Sequence, residues 1–572
     1  MSSVQETVRP RGSLFGLLRR LHFYIGLFIA PFIFVVALTG TLYVLTPQIE
    51  HQLYASALNT EAQGVAQPLS AQIAAARRHI GEAARIYAVR PAPDSHETTR
   101  VQFSQPNLGP SESRSVFIDP YTLRVTGDMT VYGTSGVLPL RMWLDQLHRG
   151  LLLGDVGRAY SELAASWLWV AALGGIVLWL GTRPRRADKA KRVGFAFARH
   201  WHIKLGLTLA LGLVFFSVTG LTWSQWAGGN IDKMRSELGW LTPQVRTALD
   251  AHTPVATADP HADYHAMPQI AGMAMGGMAR PTFPPALANA ANGDWDGVLS
   301  AARRSGIHAA KVELRQPKGD GQAWTVSEID RSWPSHVDAV SVDPASFAIV
   351  DRVEFAHFPL VAKLTRWGVD AHMGVLFGLP NQLLLAFFGV GLCAIIALGY
   401  RIWWIRRPAL PALNPAQTLL SAWLALPRYA QEASLIVALA LGWALPMMGA
   451  SLLAFLAIDL LHWRRAAAPQ TYTPPDQQSP LGIVRGRFAK KQKEMRYFLR
   501  SVAVLWLIVG AVMGKAIVSG VIEQYQIAFS DWSLLMYVTQ ALMVLLYTSV
   551  FTGLMSIPLW YFFLGESDEQ GK

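Results

Sequence analysis

The chain has 572 residues, of which 52% are hydrophobic and only 15% are charged. This balance excludes an ordinary soluble domain and indicates a protein embedded in a membrane. The formal net charge of +12 does not favour nucleic-acid binding, because the Lys and Arg residues lie in loops beside apolar segments and form no single basic stripe.

Seven apolar runs are long enough to cross a hydrocarbon core of about 30 Å, which takes about 20 helical residues. The first follows an N-terminal segment at 1–20, and its length and the lack of a small-x-small cleavage site argue against a cleaved signal peptide. We therefore predict an α-helical integral membrane protein. In chain order, its membrane segments are predicted at 21–46, 160–181, 201–226, 381–405, 434–461, 501–522 and 534–564.

The Lys and Arg residues indicate how these segments are oriented, because basic loops are retained in the cytoplasm. Four Arg residues lie within 1–20, and seven Lys and Arg residues lie in the loop 182–200. We expect both on the cytoplasmic side of a bacterial inner membrane. The segments 47–159 and 227–380 are then expected in the periplasm.

The C-terminal membrane region, 406–572, breaks this simple alternation. If 434–461 crossed the membrane once, the nine Lys and Arg residues of 464–500 would lie outside, against the charge rule. Either 434–461 is a re-entrant hairpin with its tip at Pro446, or the basic loop is an exception. We favour the hairpin, because this segment is long for one span and short for two.

The first two thirds of the chain contain a duplication. The segments 19–40 and 199–220 share Arg-x2-His-x3-Gly and end in Thr-Gly, and Trp-x4-His-x-Gly-x-Leu-x-Gly precedes the second and fourth predicted helices. Between the helices of each half, Ala-Ala-Arg-Arg is followed by strand-like stretches with Asp-Pro, which predicts a small α+β module. The core is thus a helix–module–helix unit that occurs twice.

This duplication places four histidines at symmetric positions. His22 and His202 lie at the predicted cytoplasmic ends of the first and third helices, and His148 and His372 at the outer ends of the second and fourth. In a bundle with pseudo-two-fold symmetry, the members of each pair face one another. One histidine at a membrane edge is usually only a hydrogen-bonding residue, but four symmetric ones favour a function.

Two facing histidines suit the axial ligation of haem iron, because the ligands approach a flat macrocycle from opposite helices. Zinc is disfavoured, since a tetrahedral site needs three or four protein ligands and no Cys, Asp or Glu is directly adjacent to these histidines in sequence. The only cysteine, Cys393, excludes Cys-x-x-Cys-His attachment, so the expected cofactors are two b-type haems. Arg19 and Arg199, one turn before their histidines, are candidates for pairing with haem propionates or, alternatively, are simple positive-inside anchors.

These motifs resemble the PepSY-associated transmembrane family, which includes PiuB-like iron-uptake proteins and FoxB-type siderophore reductases. The resemblance covers about residues 14–408 and implies a periplasmic PepSY module in each half. For the reductases, it implies two haems that carry electrons across the membrane. Carried over by position, it implies His22 and His202 as the inner ligands and His148 and His372 as the outer ones. It supplies no role for 409–572.

The predicted function is that of a haem-containing inner-membrane reductase for ferric siderophores or related ferric complexes. Reduction releases iron because ferrous iron is a weaker partner for hard oxygen ligands. No nucleotide-binding glycine pattern is present, so the expected electron donor is a quinol, a cytoplasmic reductase or a small reductant. Membrane lipid and the ferric complex are the other expected partners.

A His- and Met-rich insert at 252–278 lengthens the second module. Thioether and imidazole ligands together select copper, which gives an alternative function as a periplasmic copper-binding or cupric-reducing protein. The insert is otherwise a disordered linker with incidental methionines. A third alternative is a PepSY scaffold with a peptidase-inhibitory role and no cofactor. The candidate copper ligands are His252, His261, His265, Met267, Met273, Met275 and Met278.

Overall fold

The computed structural model describes residues 11–564 except 107, 110, 134, 183–193, 250–293, 407–418, 467–479 and 526–528. Six described helices are long and apolar enough to cross a membrane. This confirms the predicted α-helical membrane protein with an added sheet region. We call the end of the bundle at which Arg11 lies the N-terminal side, and the opposite end, which carries the sheet, the sheet side.

The first half of the chain begins with one long helix that contains a π turn. α1 (Arg11–Tyr24) leads into the π turn (Ile25–Ile29) and then into α2 (Ala30–Val44). Such turns are frequent at functional sites, and this one begins three residues after His22. The other elements of this half are α3 (Thr46–Leu53), α4 (Ala55–Leu58), α5 (Leu69–Ile80), β1 (Arg85–Arg90), β2 (Thr99–Ser104), β3 (Glu112–Ile118), β4 (Val125–Tyr132), α6 (Pro139–Gly150) and α7 (Gly154–Gly181).

The second half repeats this order of helix, module and helix. The fully buried Glu162 of α7 joins the halves by accepting hydrogen bonds from the amides of Trp226 (2.9 Å) and Ala227 (3.3 Å). These amides begin a helix, where a carboxylate is favoured. The elements are α8 (Phe195–Thr222), α9 (Trp226–Glu237), α10 (Trp295–Arg304), β5 (Val312–Arg315), β6 (Trp324–Glu328), β7 (Ala339–Val342), β8 (Ile349–Val353), a 3₁₀ turn (Phe355–His357), α11 (Leu360–His372) and α12 (Leu379–Arg406).

The two predicted α+β modules form one continuous sheet. Each half supplies four antiparallel strands, and the strand order is β4-β3-β2-β1-β5-β6-β7-β8. The two halves meet at β1 and β5, where Val89 pairs with Leu314. α5 and α10 share one apolar core against this sheet, and the Asp296 carboxylate of α10 accepts hydrogen bonds from the first amides of α5. The modules are therefore one structural unit, although the sequence predicted two.

The long helices of the duplicated core pack as a ring of four. α2 contacts α7 and α12, and α8 contacts the same two helices. The ends of α7 and α8 differ from the predicted bounds by up to six residues, because the helical turns extend through 154–159 and 195–200, and the first helix begins at Arg11, ten residues before its predicted start. The ring places the four predicted histidines at its two ends.

The C-terminal region adds five helices beside this ring. The segment predicted at 434–461 is broken at Leu445, where the chain turns so sharply that a Cβ on Gly449 would lie 2.9 Å from the Gly442 Cα. This break agrees with the hairpin and corrects the count of single spans to six in the described residues. The helices are α13 (Leu419–Leu424), α14 (Arg428–Ala444), α15 (Pro446–Ala466), α16 (Pro480–Tyr525) and α17 (Leu534–Leu564).

The hairpin runs along the ring from one end to the other. At its tip, Asn230 Nδ2 donates to the carbonyls of Trp443 (3.2 Å) and Ala444 (3.1 Å) on the sheet side. Near the end of α15, the buried Asp459 accepts a hydrogen bond from Tyr24 Oη on the N-terminal side. α15 therefore crosses most of the depth of the bundle, and α14 and α15 together return the chain to the side from which they started.

Trp403, at the end of α12, is 7% exposed and packs against Leu27 in the π turn. Its partner in the duplication, Trp179, is half-buried. The wider π turn presents Leu27 toward α12, and this contact buries Trp403 within the bundle.

Candidate functional site

The histidine pair on the N-terminal side comes from α1 and α8. The ring centroids of His22 and His202 lie 6.5 Å apart, and the ring planes are 85° apart. Two metal–nitrogen bonds of about 2 Å each, plus the half-widths of the two rings, place the centroids of two axial imidazoles about 6 Å apart. The separation of His22 and His202 therefore suits two imidazoles on opposite sides of one metal ion.

One ring nitrogen of each of these histidines faces the neighbouring helix. His202 Nδ1 lies 3.0 Å from the Ile395 carbonyl oxygen of α12, to which it donates when protonated. His22 Nδ1 is buried without a hydrogen bond of ordinary geometry, although the backbone of Ala171, the equivalent position in α7, lies beside it. An Nδ1–H directed at a carbonyl fixes the tautomer that leaves the Nε2 lone pair free for a metal.

Glycines give both of these rings room. A Cβ added to Gly175 would lie 3.5 Å from His22 Cε1, and one added to Gly399 would lie 3.4 Å from His202 Cε1. Both glycines are 27 residues after the outer histidine of their half, so they are equivalent positions of the duplication. Longer side chains here would press on the imidazoles.

The pair on the sheet side, His148 and His372, is held by the threonines of the Thr-Gly motifs. His148 Nδ1 lies 3.1 Å from Thr39 Oγ1, and His372 Nδ1 lies 2.7 Å from Thr219 Oγ1. Each threonine hydroxyl donates to a carbonyl four residues earlier in its own helix. The hydroxyl oxygen is thus left to accept from the histidine Nδ1–H, so Nε2 is again free.

The surroundings of the glycine in the Thr-Gly motif differ between the two halves. A Cβ on Gly40 would lie 2.9 Å from His148 Cε1, whereas the nearest neighbour of a Cβ on Gly220 is the Ala165 side chain at 3.4 Å. Close approach to a histidine therefore requires glycine only at Gly40. The sequence motif alone did not distinguish the two.

His148 and His372 line one apolar cavity of about 170 Å³ inside the ring. Phe216 and Trp223 contact the His372 ring edge to face, with centroids 5.5 and 5.4 Å away. Burial, and secondly the nearby His148, lower the pKa of His372 to about 3, and burial lowers the pKa of His148. Both imidazoles are neutral at neutral pH, which is the form that binds metals.

The two pairs are separated by most of the depth of the bundle. His22 and Thr39, which contacts His148, lie on the same continuous helix. At 1.5 Å per residue, their separation along the axis is about 25 Å. His202 and Thr219 of α8 have the same spacing. The bundle thus has one histidine pair near each end.

The donor set of these pairs fits haem. Among the described residues, no group of three or more His, Cys, Asp or Glu side chains lies close enough to bind one metal ion, as tetrahedral zinc would require. Each pair offers two neutral imidazoles from facing helices, with small residues beside three of the four rings. These features suit a flat macrocycle with two axial ligands.

The two predicted arginines, Arg19 and Arg199, differ in their exposure to solvent. Arg19 is exposed and Arg199 is half-buried. The neighbouring Arg20 packs over the rings of Phe23 and Tyr24, with its guanidinium carbon 5.4 and 5.1 Å from their centroids. Pairing of Arg19 and Arg199 with propionates remains a prediction.

The sequence reasoning missed two arginines that line the cavity on the sheet side, Arg149 and Arg158. Arg149 donates to Tyr132 Oη at 2.6 Å, and Arg158 donates to the Trp223 carbonyl oxygen at 3.1 Å. The equivalent positions of the second half are Met373 and Gln382. Because Arg149 and Arg158 depart from the repeat, the identities between the two halves do not indicate them.

The His- and Met-rich insert lies outside the described residues. This applies to all the predicted copper ligands, namely His252, His261, His265, Met267, Met273, Met275 and Met278. Copper binding therefore stays a prediction. Deletion of 252–278 is expected to abolish copper binding in equilibrium dialysis and leave the haem content unchanged, whereas loss of haem would show that the insert is structural.

The fold and the histidine pairs define a class of protein, a duplicated helix–sheet–helix bundle of the membrane. Residues 19–406 match the family model described as PepSY-associated TM region. The chain therefore belongs to the PepSY-associated transmembrane family, as its motifs indicated.

A second match concerns the C-terminal region, which the resemblance did not cover. Residues 489–567 match the model described as Protein of unknown function (DUF2534). The chain is also 39% identical over 79 residues to uncharacterized protein YnaJ of Escherichia coli strain K12, which covers 14% of this chain and 93% of YnaJ. YnaJ of Escherichia coli O157:H7 aligns equally well. Most of α16 and α17 thus belong to a unit with its own family.

Proposed function

We propose that this protein is a haem b-containing reductase of the bacterial inner membrane that reduces ferric siderophores or related ferric complexes in iron uptake. Electrons pass from the cytoplasmic to the periplasmic side. The observation that carries the proposal is the presence of two half-buried histidine pairs, one near each end of a single bundle. Membership of the PepSY-associated family supports it.

The orientation follows from charge. The described helices next to the basic segments 1–20 and 182–200 end on the N-terminal side. After the broken C-terminal hairpin, α16 begins on that same side and carries seven of the nine basic residues of 464–500. All three basic segments then satisfy the positive-inside rule. The sheet and the pair of His148 and His372 accordingly face the periplasm.

The chain's own residues have separate roles in this proposal. His22 and His202 hold one haem and His148 and His372 hold the other. The Ile395 carbonyl and the hydroxyls of Thr39 and Thr219 orient the imidazoles through their Nδ1 atoms. Bound haem supplies one-electron redox chemistry, with a potential set by its ligands and surroundings. The ring around both pairs is built mainly from apolar side chains.

The direct test is reduction of a ferric complex by the protein in proteoliposomes. With a membrane-impermeant reductant on the N-terminal side and ferric complex plus a ferrous indicator on the sheet side, we expect ferrous iron to form on the sheet side. The His148→Ala/His372→Ala double variant is expected to abolish this reaction. Equal rates in the double variant and the natural protein would contradict the proposal.

A milder change tests the threonines as positioning residues. Thr39→Val and Thr219→Val remove the acceptor of Nδ1–H but leave both imidazoles, so we expect the sheet-side haem to be retained about 10- to 100-fold less tightly. The midpoint potential of that haem should also shift in a spectroelectrochemical titration, while the other haem keeps its potential.

The matched control for the threonine variants is Thr222→Val. Thr222 lies one turn beyond Thr219 and donates only to a backbone carbonyl. The Thr222→Val variant should retain both haems with unchanged midpoint potentials. Equal effects of Thr39→Val on both haems would show that this threonine acts on the bundle as a whole.

A further inference from the structure

A second, much larger cavity lies between the sheet and the sheet-side end of the bundle. Its volume is about 1100 Å³, slightly above the usual range of about 300–1,000 Å³ for small-molecule sites. β1, β5 and β6 supply part of its wall. Met373 and Gly374, the two residues after His372, also line it. The cavity therefore adjoins the sheet-side histidine pair.

The lining of this cavity, here called the arginine chamber, is strongly basic. It contains nine basic and five acidic side chains, an excess of four positive charges. The basic residues are Arg90, Arg100, Arg141, Arg246, Arg315, Arg331, Arg366, Lys311 and Lys318, and the acidic residues are Glu50, Glu97, Glu313, Glu328 and Asp330.

Some of these cations are used to hold the fold together. Glu313 lies between Arg90 (2.6 Å) and Arg315 (2.7 Å). Burial alone would raise the pKa of Glu313, but these two guanidiniums outweigh it and lower the pKa. Arg331 pairs with the fully buried Asp370, two residues before His372. These pairs fix the sheet above the bundle.

Other cations in the chamber have spare hydrogen-bonding capacity. Arg141 Nε and Arg246 Nε are buried and have no hydrogen-bond partner, although buried donors are nearly always paired. Burial, and secondly repulsion from Arg90, lower the pKa of Arg100 to about 10, despite the nearby carboxylates of Glu97 and Glu50. An added anion would relieve this crowding of positive charge.

Guanidinium groups bind planar oxyanions such as carboxylates through two parallel hydrogen bonds. We infer that the arginine chamber binds ferric chelates of net negative charge, with carboxylate or catecholate oxygens exposed, in preference to cationic chelates. This inference rests on the proposed function and specifies its substrate class. The place of the chamber, directly beside Met373 and Gly374, would hold such a chelate next to the sheet-side histidines.

Gallium(III) complexes test this binding without any redox step, because Ga³⁺ is not reduced under these conditions. Purified full-length protein is titrated by isothermal titration calorimetry with gallium citrate and with gallium ferrioxamine B as the cationic chelate. We expect gallium citrate to bind saturably, with an affinity that falls as salt is added. The cationic chelate should bind at least tenfold more weakly.

Variants locate the binding in the chamber. Arg246→Gln and Arg141→Gln should each weaken gallium citrate binding about tenfold, since each removes a charge-assisted contact. Arg78→Gln, at an exposed arginine of α5 outside the lining, is the matched control and should bind like the natural protein. Two separate variants, together with the chelate comparison on the natural protein, avoid dependence on the folding of any one variant.

The inference is overturned if gallium citrate does not bind, if the cationic chelate binds as tightly, or if both chamber variants bind gallium citrate unchanged. These outcomes do not depend on electron transfer. Gallium citrate binding without ferric reduction would contradict the proposed reductase but leave the binding class of the chamber intact. Ferric reduction without this charge preference would contradict the binding class of the chamber but leave the proposed reductase intact.

Discussion

Replacement of His22 or His202 by alanine is expected to remove the same one of two haems, and replacement of His148 or His372 to remove the other. Loss of either axial ligand leaves one imidazole on one side of the iron, and the buried pocket offers no third donor among the described residues. Each single variant should therefore retain about half of the haem. Haem content per chain and the redox titration of what remains give the measurement.

The pairing makes this prediction specific. Within a pair, the two single variants and the double variant should have the same spectrum and the same remaining midpoint potential. His200→Ala is the matched control, because His200 is exposed, lies two residues before His202 and contacts Trp201 instead of the pair. Four variants with four different spectra would be incompatible with two paired sites.

Gly40→Val is expected to remove the sheet-side haem as completely as loss of His148. A Cβ at this position would lie 2.9 Å from His148 Cε1 and 3.3 Å from its Nδ1, so the ring must leave its hydrogen bond with Thr39. Overpacking of this kind commonly costs about 1–3 kcal/mol, and here it acts on the ligand itself. The absorbance of the reduced haem in purified variant protein gives the measurement.

The repeat supplies the control for Gly40. Gly220 occupies the same position of the second Thr-Gly motif, but a Cβ there would contact only Ala165 at an ordinary 3.4 Å. Gly220→Ala should therefore keep both haems. Retention of both haems by Gly40→Val would show that His148 has more freedom than its surroundings indicate.

Much of the bundle could be predicted from the sequence, because a duplication gives each apolar run and each histidine a counterpart. The spacing of His22, His148, His202 and His372 within the two copies was sufficient to place them as pairs, and the structure brings His22 and His202 together at 6.5 Å. The basic segments likewise favoured a hairpin at Pro446, where the chain does turn.

Other features depend on contacts between segments far apart in the chain. Val89 pairs with Leu314, and this pairing joins the two modules into one sheet. Neither strand has a sequence pattern that indicates the pairing, since each could equally be the edge strand of a separate module. The function of Thr39 was also hidden, because its partner His148 lies 109 residues away. The structure shows that Thr39 and Thr219 each contact one histidine of the sheet-side pair.

The arginine chamber was hidden for a different reason. Its cations come from both modules, from the start of α6 and from the segment before the insert, so no stretch of sequence appears unusually basic. Only the fused sheet, lying over the end of the bundle, brings Arg90, Arg141 and Arg246 to one space. A charge pattern distributed in this way requires the tertiary structure to be recognised.

The central claim is that the bundle holds two haems, and the most direct test is the haem content of the purified full-length protein from haem-replete cells. We predict two b-type haems per chain in a pyridine haemochrome assay, both reducible by dithionite and with separable midpoint potentials. A preparation that is folded and monodisperse but contains no haem would contradict the account, and a content of one haem would contradict the paired arrangement.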